Sequence, residues 1–158
     1  MRTGYWPVYV DAVSDETHSR LAVPVPELAS RIPLARIVLL DPFLPAHELV
    51  DGVLVELHEF FAGLVPFAYV LGDPARFPSG GSYLPPQPVG AFRRITHSLR
   101  RTFPEVVGAA TSLDIVTPHL PLPDGVEVPT PLEVHAREAV LLVGDDVRAT
   151  FGFGTSAA

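Results

Sequence analysis

The chain contains no cysteine. That removes disulfides, thiolate nucleophiles and cysteine-ligated metals, and it fits a reducing compartment such as the cytoplasm. No apolar run reaches the roughly 18 residues needed to span a bilayer. The amino terminus lacks a basic segment followed by an apolar core, so neither a membrane helix nor a secretory signal is expected. Basic residues are also scarce: 11 against 18 acidic ones, for a formal net charge of -7. Proteins that grip nucleic acid draw much of their affinity from Lys and Arg neutralising phosphates, so a nucleic-acid partner is not expected. The one dense basic cluster is Arg93, Arg94, Arg100 and Arg101. It shares an amphipathic pattern with Phe92, Ile95, Leu99 and Phe103 and reads first as a solvated helix face. What is present is ample apolar material. With 158 residues and 47% hydrophobic composition, one compact domain over residues 1–158 can bury a core.

Periodicity orders the elements. Tyr5 to Val13 is rich in aromatic and β-branched residues and reads as a first strand. A connection punctuated by Pro24 and Pro26 leads to a helical turn near Glu27 to Arg31. Ile37 to Leu40 reads as a short buried strand, ended by Pro42 and Pro45. From Ala46 to Leu64 the residues Val50, Val53, Leu54, Leu57, Phe61 and Leu64 recur at spacings of three and four, the stripe of an amphipathic helix. Strands are expected at Phe67 to Leu71, Arg76-Phe77 and Ser82 to Leu84, with a turn at Gly80-Gly81. A second helix is expected from Val89 to Phe103, then strands near Ile115 to Leu122, Ala139 to Val143 and Arg148 to Phe153. The last two form a hairpin around Gly144-Asp145-Asp146. Two β-rich lobes, each backed by one long helix, follow from this order. The eighteen prolines are spread through loops and mark no linker.

Two segments carry chemistry. Val116-Thr117-Pro118-His119-Leu120-Pro121-Leu122 resembles the second His-x-Thr/Ser signature of the 2H (two-histidine) phosphoesterases, the superfamily of the 2'-5' RNA ligase-like proteins. Leu34-Ala35-Arg36-Ile37-Val38-Leu39-Leu40-Asp41-Pro42-Phe43 is similar to the first signature, Pro-His-x-Thr-Leu-Leu-x-Pro-Phe. Phe77-Pro78, Tyr83-Leu84, Phe103-Pro104-Glu105 and Val140-Leu141-Leu142-Val143 resemble further landmarks, so the likeness runs from about residue 5 to Gly154. The resemblance implies an α+β, bilobal fold in which two antiparallel sheets form a central cleft, with the helices outside. It places His119 and Arg36 on facing strands.

In that family one histidine acts as base, the other protonates the leaving oxygen, and two hydroxyl residues hold the phosphate. Residues i and i+2 on a strand face the same way, which is why each signature has that spacing. Here the matching pairs are Arg36 with Val38 and His119 with Pro121. Arginine stays charged and is no general base near neutrality. Val38 and Pro121 offer no side-chain donor, and Pro121 lacks a backbone donor as well. No histidine lies between His18 and His47, so no shift of alignment restores the motif. General acid–base assistance is worth about 10²–10⁴ in rate per group, and ordinary phosphodiesterase turnover is not expected from what remains.

His119 has two readings: an inherited side chain that only hydrogen-bonds within the cleft, or an acid, base or donor toward a ligand, a task suited to a group that titrates near neutrality. Arg36 is either an anion-binding group or half of a plain salt bridge. His47, His58, His97 and His135 form no compact ligand cluster, so no metal is expected, and Gly80-Gly81 lacks the lysine and spacing of a phosphate loop. No cofactor is implied. Tyr9, Tyr69 and Tyr83 lie on or beside expected strands; each is core by default and a lining residue by alternative. With Val38 and Pro121 in place of hydroxyls, the cleft suits a neutral or weakly acidic organic molecule better than a phosphodiester. The first functional reading is therefore a repurposed fold that binds a largely apolar small molecule. Catalysis there would be acid–base chemistry such as cyclisation, isomerisation or elimination, with His119 and Arg36 acting on it and Val38, Pro121, Tyr9, Tyr69 and Tyr83 lining it. A non-catalytic binding or scaffold protein is the second reading. An RNA 2',3'-cyclic or 2'-5' phosphodiesterase is the third. The residues say nothing of oligomeric state.

Overall fold

The computed structural model describes residues 18–106 and 118–154. The expected strand at Tyr5 to Val13, with Tyr9, lies outside the described residues, as does Thr117 of the second signature. Within them, ten strands and two α-helices follow in the order β1 (Ser19–Pro24), β2 (Arg36–Leu40), α1 (Asp51–Ala62), β3 (Phe67–Leu71), β4 (Ala75–Arg76), β5 (Ser82–Leu84), β6 (Pro86–Gln87), α2 (Val89–Thr102), β7 (Leu120–Leu122), β8 (Leu132–Ala136), β9 (Glu138–Val143) and β10 (Asp146–Gly152). The architecture is α+β with antiparallel pairing throughout.

Three open sheets are present where two were expected: β10-β9-β1-β2, β6-β3-β8 and β4-β5-β7. The split has a local cause. Ser82 to Gln87 is one extended run interrupted at Pro85, which has no N–H for a ladder. Its first part pairs with β7 and β4, and its second with β3. The Pro85 carbonyl accepts from Gly72 N at 2.9 Å, so the break is stitched to the chain after β3.

In the four-stranded sheet, alternation sorts the side chains. Leu21, Val23, Ile37, Leu39, Ala139, Leu141 and Phe151 enter the main core. The opposite face carries a separate buried group, Ala22, Val140 and Leu142. α1 covers the core face: Phe61 stacks on Phe151 at 5.7 Å and on Phe153 at 5.9 Å, and His58 meets Phe151 edge-on. This helix starts later than its apolar stripe suggests, because Ala46–Glu48 forms a single 3₁₀ turn and Leu49 (φ -84, ψ 66) breaks the helical path.

α2 buries Phe92, Ile95 and Leu99, spaced three and four apart, and leaves Arg93, Arg94, His97 and Arg101 exposed. Phe92 packs edge-on against Tyr69 at 4.8 Å and Phe67 at 5.5 Å. The same helix also grips the first sheet. Leu21 pairs with Leu40 and Ala22 with Val38, so Leu39 is the extra residue of a β-bulge in β2. The Thr96 hydroxyl donates to the Leu39 carbonyl at 2.6 Å, supplying a bulge acceptor with the partner that the ladder does not.

Three described strands have no counterpart in the expected order: Ser19–Pro24, Pro86–Gln87 and Leu132–Ala136. The first of these carries Pro24, which looks like connection chemistry, and the last lies in a stretch with ionisable residues at every other position. That last strand alternates Leu132, Val134 and Ala136 inward with exposed Glu133 and His135, and it pairs along the whole of β3.

Candidate active site: an aromatic face beside an arginine-bearing sheet

β2 presents Arg36 and Val38 on one face, both half-buried, while Ile37 and Leu39 are buried on the other. β2 packs against β7. In β7, Leu120 turns to the core opposite Leu84, and Pro121 lies directly across from Tyr83. His119, two residues before Pro121 on the same side, is half-buried. Its imidazole stands edge-on to Phe77 at 4.8 Å and to Tyr83 at 5.8 Å, and those two rings stack on each other at 4.2 Å. Phe77 reaches this face because it follows Ala75, the residue that pairs with Tyr83, by two positions. The turn behind it is closed by Phe77 N donating to the Gly81 carbonyl at 2.8 Å, with Gly80 in the left-handed region at φ +111.

The result is a contiguous side: Phe77, Tyr83, His119 and Pro121. Phe77 was not among the expected site residues. Its signal was the short strand pattern at Arg76-Phe77, but only the β4–β5–β7 register brings it to His119. Tyr69 does not join this group. It is 2% exposed, enclosed by Phe67 and Phe92, with its hydroxyl unpartnered. Burial, and secondarily the negative charge of Glu27, push its phenol well above the usual tyrosine range. Tyr69 is a core residue in this fold, because β3 alternation turns it inward against α2.

Arg36 is held locally by a bond from its Nη1 to the Leu34 carbonyl at 2.9 Å. Leu34 adopts φ 56, a left-handed turn rare for a non-glycine residue, two residues before the first residue of the strand. The Arg36 Nε is buried without a partner. Its pKa is lowered, first by burial and then by the like charge of Arg20, while Asp145 and Asp41 oppose that shift. Arg20 lies on β1 and was missed because its strand was missed; its Nε is 3.7 Å from Asp41 Oδ2. Among the described residues no group of three or more His, Cys, Asp or Glu is placed to hold a metal. No described helix is long and apolar enough to cross a membrane.

A groove lies away from these residues. A mostly apolar groove of about 380 Å³ runs between the start of β3 and α2, lined by Leu64, Phe67, Ala91, Ile95, Arg94 and Ser98 among others. None of the expected site residues lines it.

The fold is that of the LigT-like 2H phosphoesterases. TT0787 of Thermus thermophilus superposes with a TM-score of 0.65 at 20% identity, covering 88% of this chain and 99% of that one. E. coli LigT complexed with 3'-AMP gives a TM-score of 0.52 at 16% identity over 87% of this chain and 98% of LigT. A structure described as a phosphoesterase gives 0.51 at 16% identity over 88% and 99%. No protein-family model and no curated protein sequence matches the chain. Likeness at these identities establishes the fold, and function must be argued from the site.

Proposed function

We propose that this chain is a repurposed 2H-fold protein that takes a largely apolar small organic molecule against the Phe77–Tyr83–His119 face. The arginine-bearing face of β2 forms the opposite wall of the cleft. The observation that carries this reading is His119 set edge-on to two stacked aromatic rings, with Pro121 across from Tyr83; the family resemblance would put a phosphate-holding hydroxyl at the position of Pro121. Stacked rings offer a flat apolar wall, and one imidazole beside it supplies a single group able to give or take a proton. Val38 opposite adds a methyl surface where the family presents a second hydroxyl. A site so composed rewards apolar contact and one oriented polar interaction.

Such a site suits proton transfer on an organic skeleton: His119 removes or delivers the proton, and Arg36 binds an oxygen that carries negative charge. Binding without turnover uses the same residues. The rival reading is phosphoester chemistry on a nucleotide, favoured by fold neighbours solved with 3'-AMP and NADP+.

A ligand-observed NMR screen of neutral and weakly acidic organic molecules, run on the parent and on His119→Ala, tests the proposal. Hits that bind the parent and are lost in the variant are expected. Hits confined to nucleotides, with turnover of a cyclic nucleotide that requires His119, would favour the rival and overturn the proposal.

A further inference from the structure

α2 is a helix of one charge sign. Its permanently charged side chains are Arg93, Arg94, Arg100 and Arg101, and no acidic residue lies between Val89 and Thr102, in a chain whose net charge is -7. Arg93, Arg94 and Arg101 are exposed, with His97 among them. Among the described residues no carboxylate pairs with these three arginines. A solvated face explains each cation singly, but not the apolar space that opens beside them.

The groove of about 380 Å³ runs along the same helix, with Ala91 and Ile95 on one side and Leu64, Val65 and Phe67 on the other. Arg94 and Ser98 line this groove, and they also line a basin of about 460 Å³ formed with Arg93, His97 and Arg101. Groove and basin are therefore continuous, and Arg94 stands where they join. Its guanidinium lies back over the first turn of α2. A Cβ on Gly90 would meet Arg94 Nη1 at 3.3 Å, closer than side chains usually allow, so the glycine leaves that place open. Glycine is disfavoured inside a helix, and here it gives the arginine room at the mouth of the groove.

We propose that groove and basin form one binding site for a single-chain anionic amphiphile, its aliphatic tail in the groove and its acidic head against Arg94 and Ser98. The site is separate from the His119 face and does not rest on the reading given for it. Its volume falls within the range of small-ligand pockets, about 300–1,000 Å³. Guanidinium and hydroxyl both donate, so the head must accept, and a charged head accepts most strongly. A neutral alcohol would bury the same tail and leave the cations without a counter-charge. A bare anion would meet the cations and gain nothing from the groove. A protein partner fits less well: stable protein interfaces bury about 1,200–2,000 Å², whereas Val65, at 62%, is the one large apolar side chain of the groove that is exposed.

NMR titration of the ¹⁵N-labelled protein with decanoate, decanol and inorganic phosphate, each below its aggregation limit, tests the site. Decanoate is expected to shift the amides of Leu64, Phe67, Ala91 and Ile95 together with the Nε–Hε signal of Arg94. Decanol should bind about tenfold or more weakly, as loss of a charge-assisted bond implies, and phosphate should leave the groove signals in place. Arg94→Glu, at an exposed position, should weaken decanoate about tenfold or more and leave decanol unchanged. Ala91→Leu fills the groove and should abolish binding of both. Ala68→Leu, exposed on β3 and lining the same groove, takes its place should that variant fail to fold. Equal binding of decanoate and decanol, or decanoate binding unmoved by Arg94→Glu, would overturn the proposal. So would phosphate binding as tightly as decanoate, which would leave an anion patch without a tail site. Decanoate shifts confined to Phe77, Tyr83 and His119 would overturn the groove site and leave the His119 reading standing. Ligand-free protein that sediments as a dimer, and as a monomer after Ala91→Leu, would give the groove to a second copy and overturn the amphiphile.

Discussion

The imidazole of His119 stands edge-on to the ring of Phe77, centroids 4.8 Å apart and planes at 85°. Nothing in the local sequence around either residue specifies that meeting. It follows from β5, which pairs with β4 on one side and β7 on the other and so carries Phe77, Tyr83 and His119 onto one face. The contact orients the imidazole while leaving the residue half-buried.

His119→Ala is expected to fold. Aromatic edge contacts are worth about 0.5–1.5 kcal/mol, and for a chain of this size 1 kcal/mol moves Tm by roughly 2–4 °C. Thermal melting should therefore fall by only a few degrees while ligand binding or activity is lost. An unfolded variant would make His119 structural, and a folded, fully active one would move the site elsewhere.

Hydrolysis of 2',3'-cyclic nucleotides or 2'-5' linked oligonucleotides is expected to be undetectable. Arg36, Val38 and Pro121 supply neither the second proton-transfer group nor the two hydroxyl donors, and general acid–base help alone is worth about 10²–10⁴ per group. Turnover by purified protein that disappears in His119→Ala would refute this.

Thr96→Val should destabilise the fold by about 1–3 kcal/mol, because it strands the bulge carbonyl of Leu39 without its donor. Thr96→Ser should recover most of that loss. Denaturant titration of the three proteins checks it. Since Val38 adjoins the bulge, the valine variant should also bind ligand more weakly than its lost stability alone would produce.

Tyr69→Phe is expected to be neutral or slightly stabilising near neutrality, since the hydroxyl it removes is buried and unpartnered. Burial raises the folded-state pKa of Tyr69 above its unfolded value. The neutral phenol's contribution is therefore intact below the unfolded pKa of about 10 and is lost as pH climbs above that value toward the folded one. Melting temperatures of the parent should fall more steeply than those of Tyr69→Phe over that alkaline range. Parallel profiles would show that the phenol ionises freely in the fold.

Much of the fold was legible because period and punctuation are local. Phe92, Ile95 and Leu99 mark α2, and the apolar stripe from Val53 to Phe61 marks α1. The hairpin of β9 and β10 follows from two apolar runs around Gly144, which sits at φ +62. β1 was hidden because Pro24 and Pro26 look like loop chemistry. Yet Pro24 is the last residue of its strand and Pro26 lies beyond it, where no ladder donor is needed. The site was legible only in part. That Arg36 and Val38 share a face follows from the two-residue strand period. Arg20 and Phe77 could not be found this way, because their places depend on cross-strand register between segments distant in sequence. Tyr69 reads on sequence as core by default and as a lining residue by alternative, and alternation in β3 turns it into the core.

Where apolar molecules bind decides between the His119 face and the groove of β3 and α2. Backbone and side-chain NMR shifts should be mapped for a set of neutral and weakly acidic aromatic fragments. Shifts clustering at Phe77, Tyr83 and His119, with Arg36 and Val38 responding as well, are the predicted result. Shifts clustering instead along the groove of Leu64, Phe67, Ala91 and Ile95, with His119 silent, would contradict it.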